Sequence, residues 1–285
     1  MSFIQSLIDG ILIGGVYGII ATGLSLVFGV LGLVNFAHAE FLMVGMYVAW
    51  FAWHYLGLDP ILAAPLSFAV VFLLGYAVQR HLLDRVMKAS PTAQIFLTVG
   101  LLIVLENAAL VIFGSGFRSV NVPYQVESFR LAGLFVSAPY LYAFGATLVV
   151  NLALWLFLER SWIGRGIRAV AQDPMAAILS GVDSKRTYRI AFGLGVGLTA
   201  FGGGVILPYI TVSPTVGGQF VVLMFTVVVL GGLGSILGAL AGGLAVGIIQ
   251  SFSALFFPIS LQNLVLFIIF IGVLAFRPQG LLKGA

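Results

Sequence analysis

Runs of about 20 apolar residues, the length that carries a helix across a hydrocarbon layer of about 30 Å, recur along almost the whole sequence. They occupy residues 8–31, 40–57, 61–79, 94–114, 138–158, 190–210 and 261–276, with a longer tract at 220–257. Gly231-Gly232-Leu233-Gly234-Ser235 interrupts that tract and offers a place to divide it into two passes. Backbone inside lipid has no water to bond, so it must satisfy its own N–H and C=O groups. No convincing strand alternation competes. The sequence therefore predicts an all-α integral membrane protein, a polytopic bundle of eight or nine transmembrane helices with broken or re-entrant glycine-rich segments. Only 8% of residues are charged, against about 25% in a typical soluble domain, too few to cover a water-facing surface. Residues 1–10 contain no Lys or Arg, so the first run lacks the basic start of a secretory signal and reads as a retained span.

The charges set an orientation. Of 13 basic residues, 11 fall in three segments: Arg80, Arg85 and Lys88; then Arg160, Arg165, Arg168, Lys185, Arg186 and Arg189; then Arg277 and Lys283. Basic residues in short loops stay cytoplasmic, which leaves the loop with Arg118 and Arg130 outside. Nine spans put the N-terminus outside and the C-terminus inside; with eight, one run is re-entrant. The net charge of +4 is thus spent on loops beside lipid, and no nucleic-acid partner is expected. No linker separates soluble units, so residues 1–285 read as one transmembrane domain in the lipid bilayer, with a cytoplasmic loop at about 159–189.

Glycines recur at helical spacing, as in Gly10, Gly14 and Gly18 or Gly234, Gly238 and Gly242, and Gly243 with Gly247. Small residues four apart let membrane helices approach closely. Gly202-Gly203-Gly204 and Gly231-Gly232 read differently, as breaks, because each glycine weakens a helix by about 1 kcal/mol relative to Ala.

Polar groups among the apolar runs are candidates for a translocation path. Asn35, His38 and Glu40 lie between the first two runs. They fit an interfacial turn in which Asn35 caps the second helix, and equally a break inside the membrane whose half-helix end faces a solute. Glu106 and Asn107 sit within the fourth run, where a carboxylate is either functional or a buried acid bonded to a neighbouring helix. Gly231, Gly232 and Ser235 complete the set. Cysteine is absent and the three histidines share no ligand spacing, so no metal or cofactor is expected. There is no phosphate-binding G-x-x-x-x-G-K-[ST] loop, no acidic metal motif and no nucleophile elbow. The chain is not expected to be an enzyme.

On the cytoplasmic side, Asp173-Pro174 is a helix start signal. Met175, Ile178, Leu179 and Val182 follow at helical spacing, and Gly181 is placed to end the helix. Such a helix rests on lipid or docks on a soluble partner.

Asn35–Tyr47, Gly166–Asp173 with Ala176, Ala177 and Gly181, Val229–Ala239 and Phe276–Leu282 together resemble one family, the LivH-type permeases of branched-chain amino acid ABC importers. Asn35-Phe-Ala-His-Ala-Glu-Phe-Leu-Met-Val-Gly-Met-Tyr47 resembles the family's N-F-A-H-G-E-F…G-A-Y stretch. Gly166-Ile-Arg-Ala-Val-Ala-Gln-Asp173 with Ala176, Ala177 and Gly181 resembles its coupling loop. Val229–Ala239 and Phe276–Leu282 resemble its C-terminal signatures. The resemblance implies a second, LivM-type permease subunit, two cytoplasmic ATPase subunits carrying ATP and Mg, and a periplasmic solute-binding protein, in a bacterial inner membrane. It implies that Asp173, Pro174, Ala176, Ala177 and Gly181 couple the chain to an ATPase. The expected activity is import of branched-chain or related amino acids by alternating access. The alternative is a passive channel, or an ABC permease, for urea or short amides. Ala39 and Met46 depart from the family's Gly and Ala, which bears on pathway width.

Overall fold

The computed structural model describes residues 2–131, 133–276 and 280. The chain begins with α1 (Ser2–Leu31), α2 (His38–Leu56) and α3 (Pro60–Val78), then a π-turn (Gln79–Leu83), the short α4 (Asp84–Val86) and α5 (Pro91–Phe113). A hairpin of β1 (Ser128–Leu131) and β2 (Leu134–Ser137) leads into α6 (Ala138–Arg160), α7 (Trp162–Gln172) and α8 (Pro174–Leu179). The last part is α9 (Ser184–Ile206), α10 (Val216–Gly231), α11 (Ile236–Phe256) and α12 (Ile259–Phe276). Among the described residues six helices are long and apolar enough to cross a membrane, and α10 and residues 264–276 are shorter apolar helices. The C-terminal Arg277 and Lys283, and most of the Phe276–Leu282 signature, lie outside the described residues.

Helices α1 and α9 form the centre: 78% and 83% of their most apolar stretches are buried, against 11% for α5. They cross where Gly23 meets Gly195, and a Cβ on either glycine would fall against the other's carbonyl oxygen. Each central helix then packs on one partner through small residues. Gly10, Gly14 and Gly18 of α1 run against residues 240–248 of α11, backbone on backbone, with Gly243 and Gly247 facing them. Gly193, Gly197 and Gly204 of α9 run against Phe72, Phe68 and Ala64 of α3. Lipid offers no hydrophobic drive between apolar helices, so close van der Waals contact must supply the association, and small residues permit it.

These contacts make all three pairs antiparallel. The segment α1–α2–α3–α5 is consequently matched by α9–α10–α11–α12 running in the opposite sense, each half with a break after its first helix. The breaks are residues 32–37 and 207–215. The second is held from outside itself: Arg118 and Val212 exchange both backbone hydrogen bonds at 2.9 Å.

Two expectations are corrected. Gly202-Gly203-Gly204 is no break; α9 runs through it. The three glycines face Ile20, Leu42 and Ala64 respectively, so the run is small because three neighbours surround it. The loop after α5 does contain strands, the four-residue pair β1 and β2. They are too short to show an alternating pattern against the surrounding apolar sequence.

Candidate functional site

Sequence alone left Asn35, His38 and Glu40 at either an interfacial turn or an embedded break; the structure places them at a break inside the bundle. His38 is 1% exposed and Asn35 fully buried. His38 Nε2 lies 2.7 Å from Thr199 Oγ1, and the Thr199 hydroxyl is within bonding distance of the Ile20 carbonyl at 3.1 Å. Thr199 and Ile20 are far from the ends of α9 and α1, so α2 starts deep among helices. Asn35 does not cap α2. The residue before the helix is Ala37, with no side-chain cap, and Asn35 Oδ1 instead accepts from the Ala37 N–H at 3.1 Å. That bond orients the amide so that its Nδ2 faces His38 Nδ1 at 3.4 Å. An amide nitrogen only donates. His38 therefore accepts at Nδ1, carries its proton at Nε2 and donates to Thr199. The relay joins the break, α9 and α1 at their crossing.

Two residues on, Glu40 is 1% exposed and its Oε2 has no hydrogen-bond partner. It faces Gly217 in the first turn of α10, where any Cβ would collide with the carboxylate. Helix α10, like α2, begins without a side-chain cap. Two helix starts, each presenting the positive end of its dipole, thus meet beside one buried carboxylate. Glu106 of α5 lies within electrostatic reach of Glu40. Glu106 shows no interhelical hydrogen bond, and Asn107, exposed, bonds its own helix at Ile103 O, 2.8 Å. Of the two readings of the Glu106 carboxylate, a hydrogen bond to a neighbouring helix has no counterpart among the described residues.

Gly231, Gly232 and Ser235 lie elsewhere, at the far end of α10 against the C-terminal part of α1. The Ser25 hydroxyl donates to Ser235 O at 3.0 Å, and Ser235 Oγ accepts from the Gly238 N–H at 3.0 Å, starting α11. A crevice of about 320 Å³ separates Gly234 and Ser235 from Ile167 and Arg168 of α7. The structure therefore divides the expected path residues into two groups, one at each end of α10.

The third group is the arm α7–α8. Asp173 Oδ1 accepts from the Met175 and Ala176 N–H groups at 2.8 and 3.0 Å, and Pro174 takes the first helical position. At the other end Gly181 N–H donates to Ile178 O and Val182 N–H to Ala177 O, both at 3.0 Å. This is a Schellman closure, which needs a left-handed residue; Gly181 has φ 85°. Ala177 is the side chain that packs inward, while Met175, Ile178 and Leu179 are exposed, Leu179 at 83%. A six-residue helix is too short to hold itself; its caps fix its shape and leave its apolar face unpartnered. Around the arm, Arg168 pairs with Glu159 and Arg189 pairs with Asp84 at 2.7 Å.

Thr199 and Gly217 belong to the site but did not stand out in the sequence. One signal was present: Gly217-Gly218-Gln219-Phe220 repeats the small, polar, Phe order of His38-Ala39-Glu40-Phe41 at the start of the other half-helix. Among the described residues no cluster of three His, Cys, Asp or Glu could hold a metal.

Residues 6–274 match the family described as branched-chain amino acid transport system, permease component. The high-affinity branched-chain amino acid permease protein BraD of Pseudomonas aeruginosa is 31% identical, over 98% of this chain and 95% of its own length. The LivH permease protein of Escherichia coli K12 is 30% identical over the same shares. The fructose import permease protein FrcC of Rhizobium meliloti is 29% identical over 82% of this chain and 66% of its own. No solved structure matches. A permease component carries no catalysis or cofactor of its own. The buried break, the exposed arm and the match over nearly the full length agree: the chain belongs to the permease component family of branched-chain amino acid transport systems.

Proposed function

We propose that this multi-pass ABC permease carries branched-chain amino acids inward as one of two permease subunits, its partner being of the LivM type. Two cytoplasmic ATPases drive the pair and a periplasmic binding protein supplies the solute. The names of the full-length relatives support the substrate class; the fructose permease among the matches makes substrate identity the property most in need of measurement. In this reading residues 1–285 form one transmembrane domain of nine passes. Helices α2 and α10 begin part-way through the bundle. The N-terminus and the hairpin are outside, and the arm and the described basic residues outside that loop are inside.

The observation that carries the reading is the arm. Met175, Ile178 and Leu179 project from a short helix fixed by Asp173 at one end and Gly181 at the other. An apolar helix face on the basic side of a membrane protein suits a groove on a soluble ATPase. Movement of that helix passes through α7 to the crevice at Gly234-Ser235, along α10, and so to Gly217 and Glu40. Alternating access is then a rocking of α10 against α1 and α2. The ATPases supply the differential free energy that shifts it, since a solute shifts a conformational equilibrium only by its unequal affinity for the two states.

The test is Gly181→Val in the assembled transporter. A β-branched residue in the left-handed region strains the closure by about 1–2 kcal/mol, while the helix has open space at that position. Expected is ATP hydrolysis retained with leucine uptake cut at least tenfold. Wild-type uptake by the variant would remove the arm from the coupling path.

A further inference from the structure

A second polar site lies at the hairpin end of the bundle, away from Glu40. A cavity of about 600 Å³ opens between α1, α6, α11 and α12, roofed by the hairpin through Ser128, Phe135 and Ser137. One face of α1 supplies Gln5, Asp9 and Tyr17, α11 supplies Gln250, α6 supplies Tyr140, and α12 supplies Gln262. A volume of 300–1,000 Å³ is that of a small-molecule site, and lipid tails gain nothing from a polar lining.

The described lining holds one charge and no cation to neutralise it. Among the described residues that line the cavity, Asp9 is the only ionisable acid or base apart from the tyrosines, and no Lys, Arg or His is among them. Neither ion pair of the described residues includes it. Its protein partner is the Gln5 amide, 3.1 Å from each carboxylate oxygen. That same amide is already committed to the hairpin: Gln5 Nε2 donates to Phe135 O at 2.5 Å, and Phe135 N–H donates to Gln5 Oε1 at 2.9 Å. A carboxylate accepts about four hydrogen bonds, so most of the capacity of Asp9 is left for the cavity. Around it stand aromatic faces. Tyr140 packs on Tyr209 at 4.4 Å between ring centres, and Tyr17 donates to Gln250 Oε1 at 2.8 Å, which turns the Gln250 amide nitrogen away from that bond. A lone carboxylate among tyrosine rings attracts a cation by charge and by ring quadrupole together.

We propose that this cavity binds a primary ammonium group through Asp9. Two sources present that chemistry on the outer side: the α-ammonium of an amino acid released by a binding protein, and the headgroup of an ethanolamine phospholipid. The first source rests on the import reading above; the second does not. Gln5 joins Asp9 to the hairpin, so a protein pressing on the hairpin acts directly on the residue that holds the ammonium.

Melting of the full, detergent-purified permease complex tests this, because a ligand of the folded state raises its melting temperature. Leucinamide, which has the ammonium without a carboxylate, should raise it by several degrees. 4-Methylpentanoate, with the carboxylate and no ammonium, should not. Glycerophosphoethanolamine tests the lipid source against glycerophosphocholine. Asp9→Asn should abolish the amine-dependent shift and Asp9→Glu should keep it, which separates lost binding from a damaged fold. A shift with leucinamide alone assigns the amino acid, and one with glycerophosphoethanolamine but not glycerophosphocholine assigns the lipid. No shift with either amine, or the same shift in Asp9→Asn, overturns the proposal. Failure of the wild-type complex to import leucine would instead count against the import reading, since the melting experiment requires no transport.

Discussion

The two breaks in the bundle occupy matching places in oppositely running halves, yet they are built from different chemistry. The break at 32–37 is tied by buried side chains: Asn35 Oδ1 accepts from the Ala37 N–H and its amide feeds His38, which reaches Thr199, while Val34 O accepts from Thr98 of α5 at 3.3 Å. The break at 207–215 is held by a neighbouring loop, through the Arg118–Val212 bridge, and opens into a helix starting with Val216, Gly217 and Gly218. One break supplies charge and a fixed relay. The other supplies space, and its position depends on a loop on the hairpin side. If α10 rocks against α1 and α2 as proposed, the relay would be the fixed point and the roomier start of α10 the part that yields.

The strongest way to break this contrast is to take the space away. Gly217→Leu would drive a side chain into the Glu40 carboxylate; overpacking costs about 1–3 kcal/mol, and in a path the steric block adds to it. Leucine uptake in vesicles should fall about 100-fold, with the complex still assembled. Adding Glu40→Ala should restore at least a tenfold part of it, because neighbouring residues couple. Equal loss in the single and double variants would mean that Gly217 serves something other than Glu40.

Next comes the relay. His38→Ala deletes a buried side chain and leaves Asn35 and the Thr199 hydroxyl each short of a partner, a loss of about 2 kcal/mol in stability. Thr199→Val keeps the side-chain volume and so should cost less than His38→Ala, although it leaves the His38 Nε2–H without its acceptor. The double variant should fall short of the sum in detergent melting. Strict additivity would show that the two residues do not act as one unit.

Arg118 tests the other side of the contrast. Its guanidinium lies 4.5 Å over the Trp50 ring and donates to Phe113 O at 2.7 Å. Arg118→Ala should cost about 1 kcal/mol and raise amide exchange across 207–215 while leaving 32–37 protected. Equal deprotection of both breaks would erase the proposed difference between them.

Much of this was legible in sequence for identifiable reasons. Apolar runs of bilayer length gave the helices, and glycines four apart marked helix faces that pack closely, though not that α1 and α11 are the pair. Asp173, Pro174 and Gly181 gave the arm, because caps act through their own few residues. What was not legible depended on distant neighbours. Whether Asn35 capped a helix at the surface or turned inside the bundle was decided by Thr199, 164 positions on in the sequence. Gly202-Gly203-Gly204 looked like a weakness because propensity is local, while the three helices that surround it are not. The inverted halves share almost no sequence beyond the small-polar-Phe order, since packing constrains residue size and leaves identity free.

The smallest effects ask how far the inversion extends. The third helix of each half begins with a side-chain cap: Asp59 Oδ1 accepts from the Ile61 N–H at 2.9 Å at the start of α3, and Ser235 Oγ accepts from the Gly238 N–H at 3.0 Å at the start of α11. Removing such a cap costs about 0.5–1 kcal/mol when the helix is otherwise held by packing. Asp59→Ala and Ser235→Ala should therefore lower melting by similar amounts. Ser235→Gly should be milder than Ser235→Ala, because glycine leaves the backbone N–H groups open to solvent. Function should separate what stability does not. Ser235 stands in the proposed line from the arm to α10, so its Ala variant should also reduce uptake about two- to threefold, the rate equivalent of about 0.5 kcal/mol. Asp59, at the opposite end of the bundle, should leave uptake unchanged. If both variants slowed uptake alike, the inversion would describe the fold only and the cytoplasmic end of α10 would lose its place in the coupling path.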